Sequence, residues 1–139
     1  MSQFTRPTFK QLETAEEGTH YSWLALATQL KFNEQGLIPA IAQCILTKKV
    51  LMFAWMNREA LEKTLLTQEV HYFSRSRNQL WRKGETSGHT QHLIHLRIDC
   101  DGDCLLLEVK QQGMACHTQR SNCFYNWVEP PQVRICSDS

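Results

Sequence analysis

Two apolar runs separated by only three polar residues set the strongest limit on how this chain folds. Residues 38–46 and 50–55 are almost wholly apolar, and Thr47-Lys48-Lys49 lies between them. Runs this short, with a tight polar break, fold back on each other as a β-hairpin. Asn57 then precedes residues 58–66, where Asn is a good N-cap and Ala60, Leu61 and Leu65 fall on one helical face, so a short helix should follow the hairpin. Further strands are expected at residues 71–74, 91–99 and 105–110, with Gly84, Gly88, Gly102 and Gly113 marking turns. This order predicts an α+β fold, mainly antiparallel β-sheet with one or two short helices. Residues 1–30 read as a helical or irregular lead-in, 31–129 as the main domain, and 130–139, with Pro130-Pro131 and Ser137-Asp138-Ser139, as a loose tail.

Composition narrows the function classes. A chain of 139 residues fits one domain, which buries roughly two-thirds of its unfolded surface. Hydrophobic residues at 42% and charged residues at 21% are those of a globular protein. A formal net charge of +1 argues against a nucleic-acid-coating protein, because phosphate-driven binding needs a pronounced excess of Lys and Arg. The first twenty residues hold no apolar signal region, and no stretch approaches the ~18 apolar residues of a membrane span, so a cytoplasmic location without membrane contact is expected. Six cysteines in such a compartment are better read as metal ligands or buried thiols than as a disulfide framework.

The stretch from Ile98 to Cys104 carries the most chemistry: Asp99, Asp101 and Asp103 alternate with Cys100 and Gly102. On an extended strand Ile94, Leu96, Ile98 and Cys100 would face one way and Arg97, Asp99, Asp101 and Asp103 the other. Soft thiolates select zinc and clustered carboxylates select a hard ion such as magnesium, so two separate ions are implied. In a straight strand Asp99 and Asp103 would be ~13 Å apart, too far to share one ion. Either the chain turns at Gly102 or the ion is held partly through water and substrate oxygens. A calcium EF-hand is excluded, since its required Gly would fall at Cys104 and its bidentate Glu at Lys110. Downstream stand Cys116, His117 and Cys123; Cys100, Cys116 and Cys123 as three zinc ligands would leave a catalytic position open, whereas Cys104 or His117 as a fourth would close it.

These motifs, together with residues 80–88 (Leu80 through Gly88), 36–43, 51–57 and 73–77, resemble the phosphoribosyl-AMP cyclohydrolases over about residues 31–125. The resemblance implies a homodimer with magnesium on Asp99, Asp101 and Asp103 and a zinc shared between subunits on Cys100, Cys116 and Cys123. It also implies a reaction, the third step of histidine biosynthesis, in which water opens the N1–C6 bond of the adenine ring of phosphoribosyl-AMP. The chain departs from the usual family pattern at Gln119, where Gly is common, at Asn122, where Ser is common, and at Cys44, where Asp is common.

Zinc lowers the pKa of bound water to ~7 and so supplies a nucleophile at neutral pH. His117, adjacent to Cys116, is the candidate for proton transfer, since histidine as a residue type titrates near working pH. Arg75, Arg77, Arg82 and Lys83, with Gly84, Thr86, Ser87 and Gly88, are candidates to hold the substrate's phosphates. His89, His92 and His95 alternate faces on a strand and take no assignment. A zinc-stabilised nucleic-acid module built on residues 74–77 and Trp81 is disfavoured by the charge balance. A zinc nucleoside deaminase is disfavoured by the missing H-x-E and P-C-x-x-C signature.

Overall fold

The computed structural model describes residues 7–137; Asp138 and Ser139 of the expected tail lie outside them. The expected hairpin forms as β1 (Ile38–Cys44) and β2 (Val50–Met56), followed by α3 (Arg58–Thr67). Asn57 caps that helix by accepting from the Ala60 amide at 2.8 Å. Ala60, Leu61 and Thr64 are its buried residues, and Leu65 is partly buried on the same side. β5 (Gln91–Ile98) and β6 (Leu105–Gln111) also fall where the alternation placed them. The lead-in contains two short helices, α1 (Phe9–Leu12) and α2 (Trp23–Ala27), so the described residues hold three helices rather than one or two.

The main sheet has the order β2-β1-β6-β5, with β1 and β6 parallel and the other pairs antiparallel. Pro39 sits one residue before the β6 ladder begins at Ala40, so its missing amide costs that ladder nothing. Ile38, Ala40, Ala42, Leu105, Leu107 and Val109 are buried on one face, against Met56, Leu61, Val70 and Tyr72. Two bulges adjust the sheet. The register shift after Ala42 leaves Leu51 as an extra residue between Val50 and Met52. The shift between Leu93 and His95 leaves Ile94 unpaired and 42% exposed, so Ile94 does not share a face with Leu96 and Ile98 as strict alternation required.

Two further hairpins complete the fold. β3 (His71–Ser74) pairs with β4 (Gln79–Arg82), a strand that the polar run before it hides. β7 (Asn126–Glu129) pairs with β8 (Gln132–Ile135) around Pro130-Pro131, which corrects the expectation of a loose tail. The two prolines there form the turn, and Arg134 stacks over Trp127 at 5.0 Å and pairs with Glu129 at 3.0 Å.

Candidate active site

The segment after β5 does not continue as a strand. β5 stops at Ile98, and the Asp99 carboxylate accepts from the Asp103 amide at 2.9 Å and the Cys104 amide at 3.1 Å. Gly102 closes the turn with φ +77°, and its Cα lies so close to the Phe9 ring that a Cβ would meet it at 2.5 Å. The alternation of Asp99, Cys100, Asp101 and Asp103 across two faces is therefore broken, because side-chain-to-backbone bonds replace the strand ladder. The turn brings ligand atoms of Asp99, Asp101 and Asp103 within 4.8 Å of one another, the first of the two alternatives posed by their spacing. Burial pushes the Asp99 carboxyl up, but hydrogen bonds from Asp103, on side chain and amide, and from Cys104 outweigh it and hold it below the usual range. Hydrogen bonds to Asp99 and Asp101, together with their charges, push Asp103 up to about 6. Three carboxylates crowded within this distance are a site that could hold a hard cation.

The other group of candidates lines a cleft of about 500 Å³. Its wall includes Cys116, His117 and Cys123 as well as Arg77, Arg82, Lys83, Gly84, Thr86 and Ser87, over Met52, Phe53, Ala54 and Met114. Arg75 and Gly88 are not on this wall; Arg75 stacks over Trp55 at 5.0 Å. The turn after β4 is tight: the Gly88 amide donates to the Gly84 carbonyl at 2.8 Å, and a Cβ on Gly84 would lie 2.5 Å from the His89 backbone. The bulge at Leu51 has a use here, since its carbonyl accepts from the Cys123 amide at 2.8 Å and pins the second thiol to the edge of the sheet.

Cys116 and Cys123 interact directly. Burial pushes the Cys116 thiol up, but the Thr118 hydroxyl at 3.0 Å, the Thr118 amide, Cys123 and Lys83 outweigh it and lower it. Burial, then the hydrogen bond and charge of Cys116, push Cys123 up to about 11. Two thiols sharing a proton in this way are soft donors suited to zinc. Cys100 does not join them: among the described residues the carboxylate trio is the only group of three or more metal-capable side chains within ligand distance. Neither Cys104 nor His117 completes a third position with the thiol pair by that measure.

Two of the departures from the family pattern now have a physical meaning. Gln119 has φ +69°, in the left-handed region where a glycine is unstrained, and lies in the loop between the thiols. Asn122 is buried; its carboxamide oxygen accepts from the Phe124 amide at 2.8 Å and its nitrogen donates to the Ser137 carbonyl at 2.6 Å, tying the thiol loop to the segment that follows β8. Gln119→Gly is expected to stabilise the fold by about 0.5–1 kcal/mol, because the roughly 1–2 kcal/mol left-handed penalty exceeds the ~0.5–1 kcal/mol entropy cost of glycine. A urea midpoint that rises at constant slope would bear this out, and an unchanged or lower midpoint would contradict it.

Sequence reasoning left His89 unassigned and gave Trp81 and Met52 no place in the cleft, which all three also line. It missed Thr118 as the Cys116 partner too. Hydroxyl and aromatic positions of this kind carry no spacing signal. A polar cleft of this size, with a thiol pair, basic side chains and a histidine over an apolar floor, defines an enzyme that acts on a small polar molecule. The family model for phosphoribosyl-AMP cyclohydrolase matches residues 52–125. The phosphoribosyl-AMP cyclohydrolase of Halorhodospira halophila is 58% identical over 132 aligned positions, covering 89% of this chain and 93% of the relative. That of Hydrogenovibrio crunogenus is 53% identical over 131, covering 94% and 89%, and that of Granulibacter bethesdensis 67% over 96, covering 69% and 75%. The chain belongs to the phosphoribosyl-AMP cyclohydrolase family.

Proposed function

We propose that this chain hydrolyses the N1–C6 bond of the adenine ring of phosphoribosyl-AMP, in histidine biosynthesis, at a site completed by two subunits. One observation carries the two-subunit reading. The carboxylate turn and the thiol cleft lie at opposite ends of the β5–β6 pair, since Asp99 follows the last residue of β5 while His89 and Met114 of the cleft flank its other end. The eight residues of β5 alone span roughly 25 Å at ~3.3 Å each. One substrate cannot use both within a chain, but a two-fold partner could bring the turn of one subunit to the cleft of the other.

In that arrangement Cys116 and Cys123 hold zinc with Cys100 from the partner subunit, and Asp99, Asp101 and Asp103 hold magnesium. Bound there, zinc supplies the Lewis acidity that makes water nucleophilic near neutral pH. Met52, Phe53, Ala54 and Met114 offer an apolar floor for the purine. Arg77 and Arg82, with the hydroxyls of Thr86 and Ser87 and the Gly84 turn, offer donors for the phosphates. His117, exposed on the cleft wall beside Cys116, would take a proton from the attacking water and return one to N1. No helix of the described residues is long and apolar enough to cross a membrane, and the near-neutral charge fits a small-molecule substrate rather than a nucleic acid; a cytoplasmic site of action accords with both.

The test is ring opening of phosphoribosyl-AMP, followed by loss of the adenine chromophore, with zinc and magnesium counted on the same protein. Mild chelation is expected to stop turnover before zinc leaves, since magnesium keeps waters and is held by few carboxylates. Magnesium should restore it. Because the Asp103 carboxyl is raised to about 6, its proton competes with the cation below that value. Magnesium affinity is therefore expected to be full near pH 8 and to fall as pH drops through about 6. A flat affinity from pH 5 to 8, or turnover indifferent to magnesium, would exclude the carboxylate turn as the magnesium site.

A further inference from the structure

Lys83 stands apart from the other basic residues of the cleft. It is 9% exposed, whereas Arg77 is exposed and Arg82 half-buried. Its Nζ donates to the Ala115 carbonyl at 2.7 Å and lies 5.9 Å from the Trp81 ring. Lysines 10, 48 and 63 pair with carboxylates, but among the described residues none pairs with Lys83. The one carboxylate on the cleft wall, Glu85, accepts instead from the Arg82 amide at 2.7 Å. A buried ammonium without a counter-ion is costly, and the remaining anion sources on that wall are the thiols of Cys116 and Cys123.

We propose that Lys83 is a positioning residue for the thiol pair, its ammonium fixing the Ala115 carbonyl next to Cys116 and offsetting the negative charge of the thiolates once they hold a metal. This rests on the zinc reading above. A divalent zinc with three thiolates carries one net negative charge, and a single buried ammonium beside it restores neutrality. The same geometry removes Lys83 from the set of free phosphate donors, leaving that task to Arg77 and Arg82.

The test measures zinc affinity by chelator competition, and the sulfur-to-cobalt charge-transfer bands of the cobalt-substituted protein, on full-length wild type and on K83R, K83Q and K83M. K83R keeps both charge and donor and is expected to stay within about threefold of wild type. K83Q keeps an N–H donor, one atom shorter than lysine, but no charge, and with K83M is expected to bind zinc ~10–100-fold more weakly, the usual cost of losing an outer partner of a metal ligand. Far-ultraviolet circular dichroism and the urea midpoint report whether the variants are folded; if K83M does not fold, K83Q decides. Wild-type zinc affinity and an unaltered cobalt spectrum in folded K83Q would overturn the proposal, the more so if KM for the phosphorylated substrate rose instead. A wild-type protein that bound no zinc would overturn the zinc reading itself, and this inference with it.

Discussion

Replacing Cys116 with Ser is expected to remove zinc and to lower turnover by more than ~10²-fold. Losing an outer partner of a metal ligand costs 10–100-fold, and losing a thiolate ligand should exceed that. Cys116 is the best prepared of the three cysteines: it is buried, it accepts a hydrogen bond from Thr118 at 3.0 Å, and its thiol is lowered despite that burial. Serine preserves the approximate shape and the loop bonds made by the Cys116 backbone, to Arg120 and Gln119, so the fold should survive. Metal content and turnover measured together decide the matter. A Cys116→Ser protein with one tightly bound zinc per chain and undiminished activity would remove the thiol pair from the site.

Mixing two inactive variants should restore activity. Cys100→Ser and Cys116→Ser chains, unfolded together and re-associated, would form heterodimers in which one site draws Cys100 from one chain and Cys116 with Cys123 from the other, all intact. The second site in the same dimer lacks two ligands. With random pairing, half the dimers carry one live site of two, so recovery should reach about a quarter of wild-type activity. This follows from the separation of the carboxylate turn and the cleft along β5, which leaves Cys100 out of reach of the other thiols in its own chain. No recovery from demonstrably mixed dimers would mean that each site is built within one chain.

Much of the fold was legible because it is locally encoded. Short apolar runs marked β1 and β2, turn glycines helped to bound β5 and β6, and Asn57 marked the start of α3. What was illegible depended on partners distant in sequence or on single-residue exceptions. Nothing local says that β1 pairs in parallel with β6, or that Ile94 is the bulged residue whose insertion turns the face of β5. The pattern from Ile98 to Asp103 reads as strand by alternation, but the Asp99 carboxylate captures two amides and bends the chain there. Pro130-Pro131 read as part of a loose tail when it is the turn of a hairpin. The candidate site residues were chosen by type and motif, but their grouping into a turn and a cleft was not legible, because strand length and end-to-end order decide it. Lys83 was grouped with the exposed arginines because sequence does not report its burial.

The parallel pairing of β1 with β6 has a consequence for synthesis on the ribosome. Ala40 pairs with Leu105 and Cys44 with Val109, so this ladder joins segments some sixty-five residues apart and must close a long loop before it gains anything. Until residue 111 has emerged, β1 offers one open edge, with Pro39 near its start as the only built-in obstacle to unwanted strand addition. The nascent chain is then most exposed to aggregation while the carboxylate turn is being made, and the three aspartates of that turn become ordered only as the central strand closes behind them.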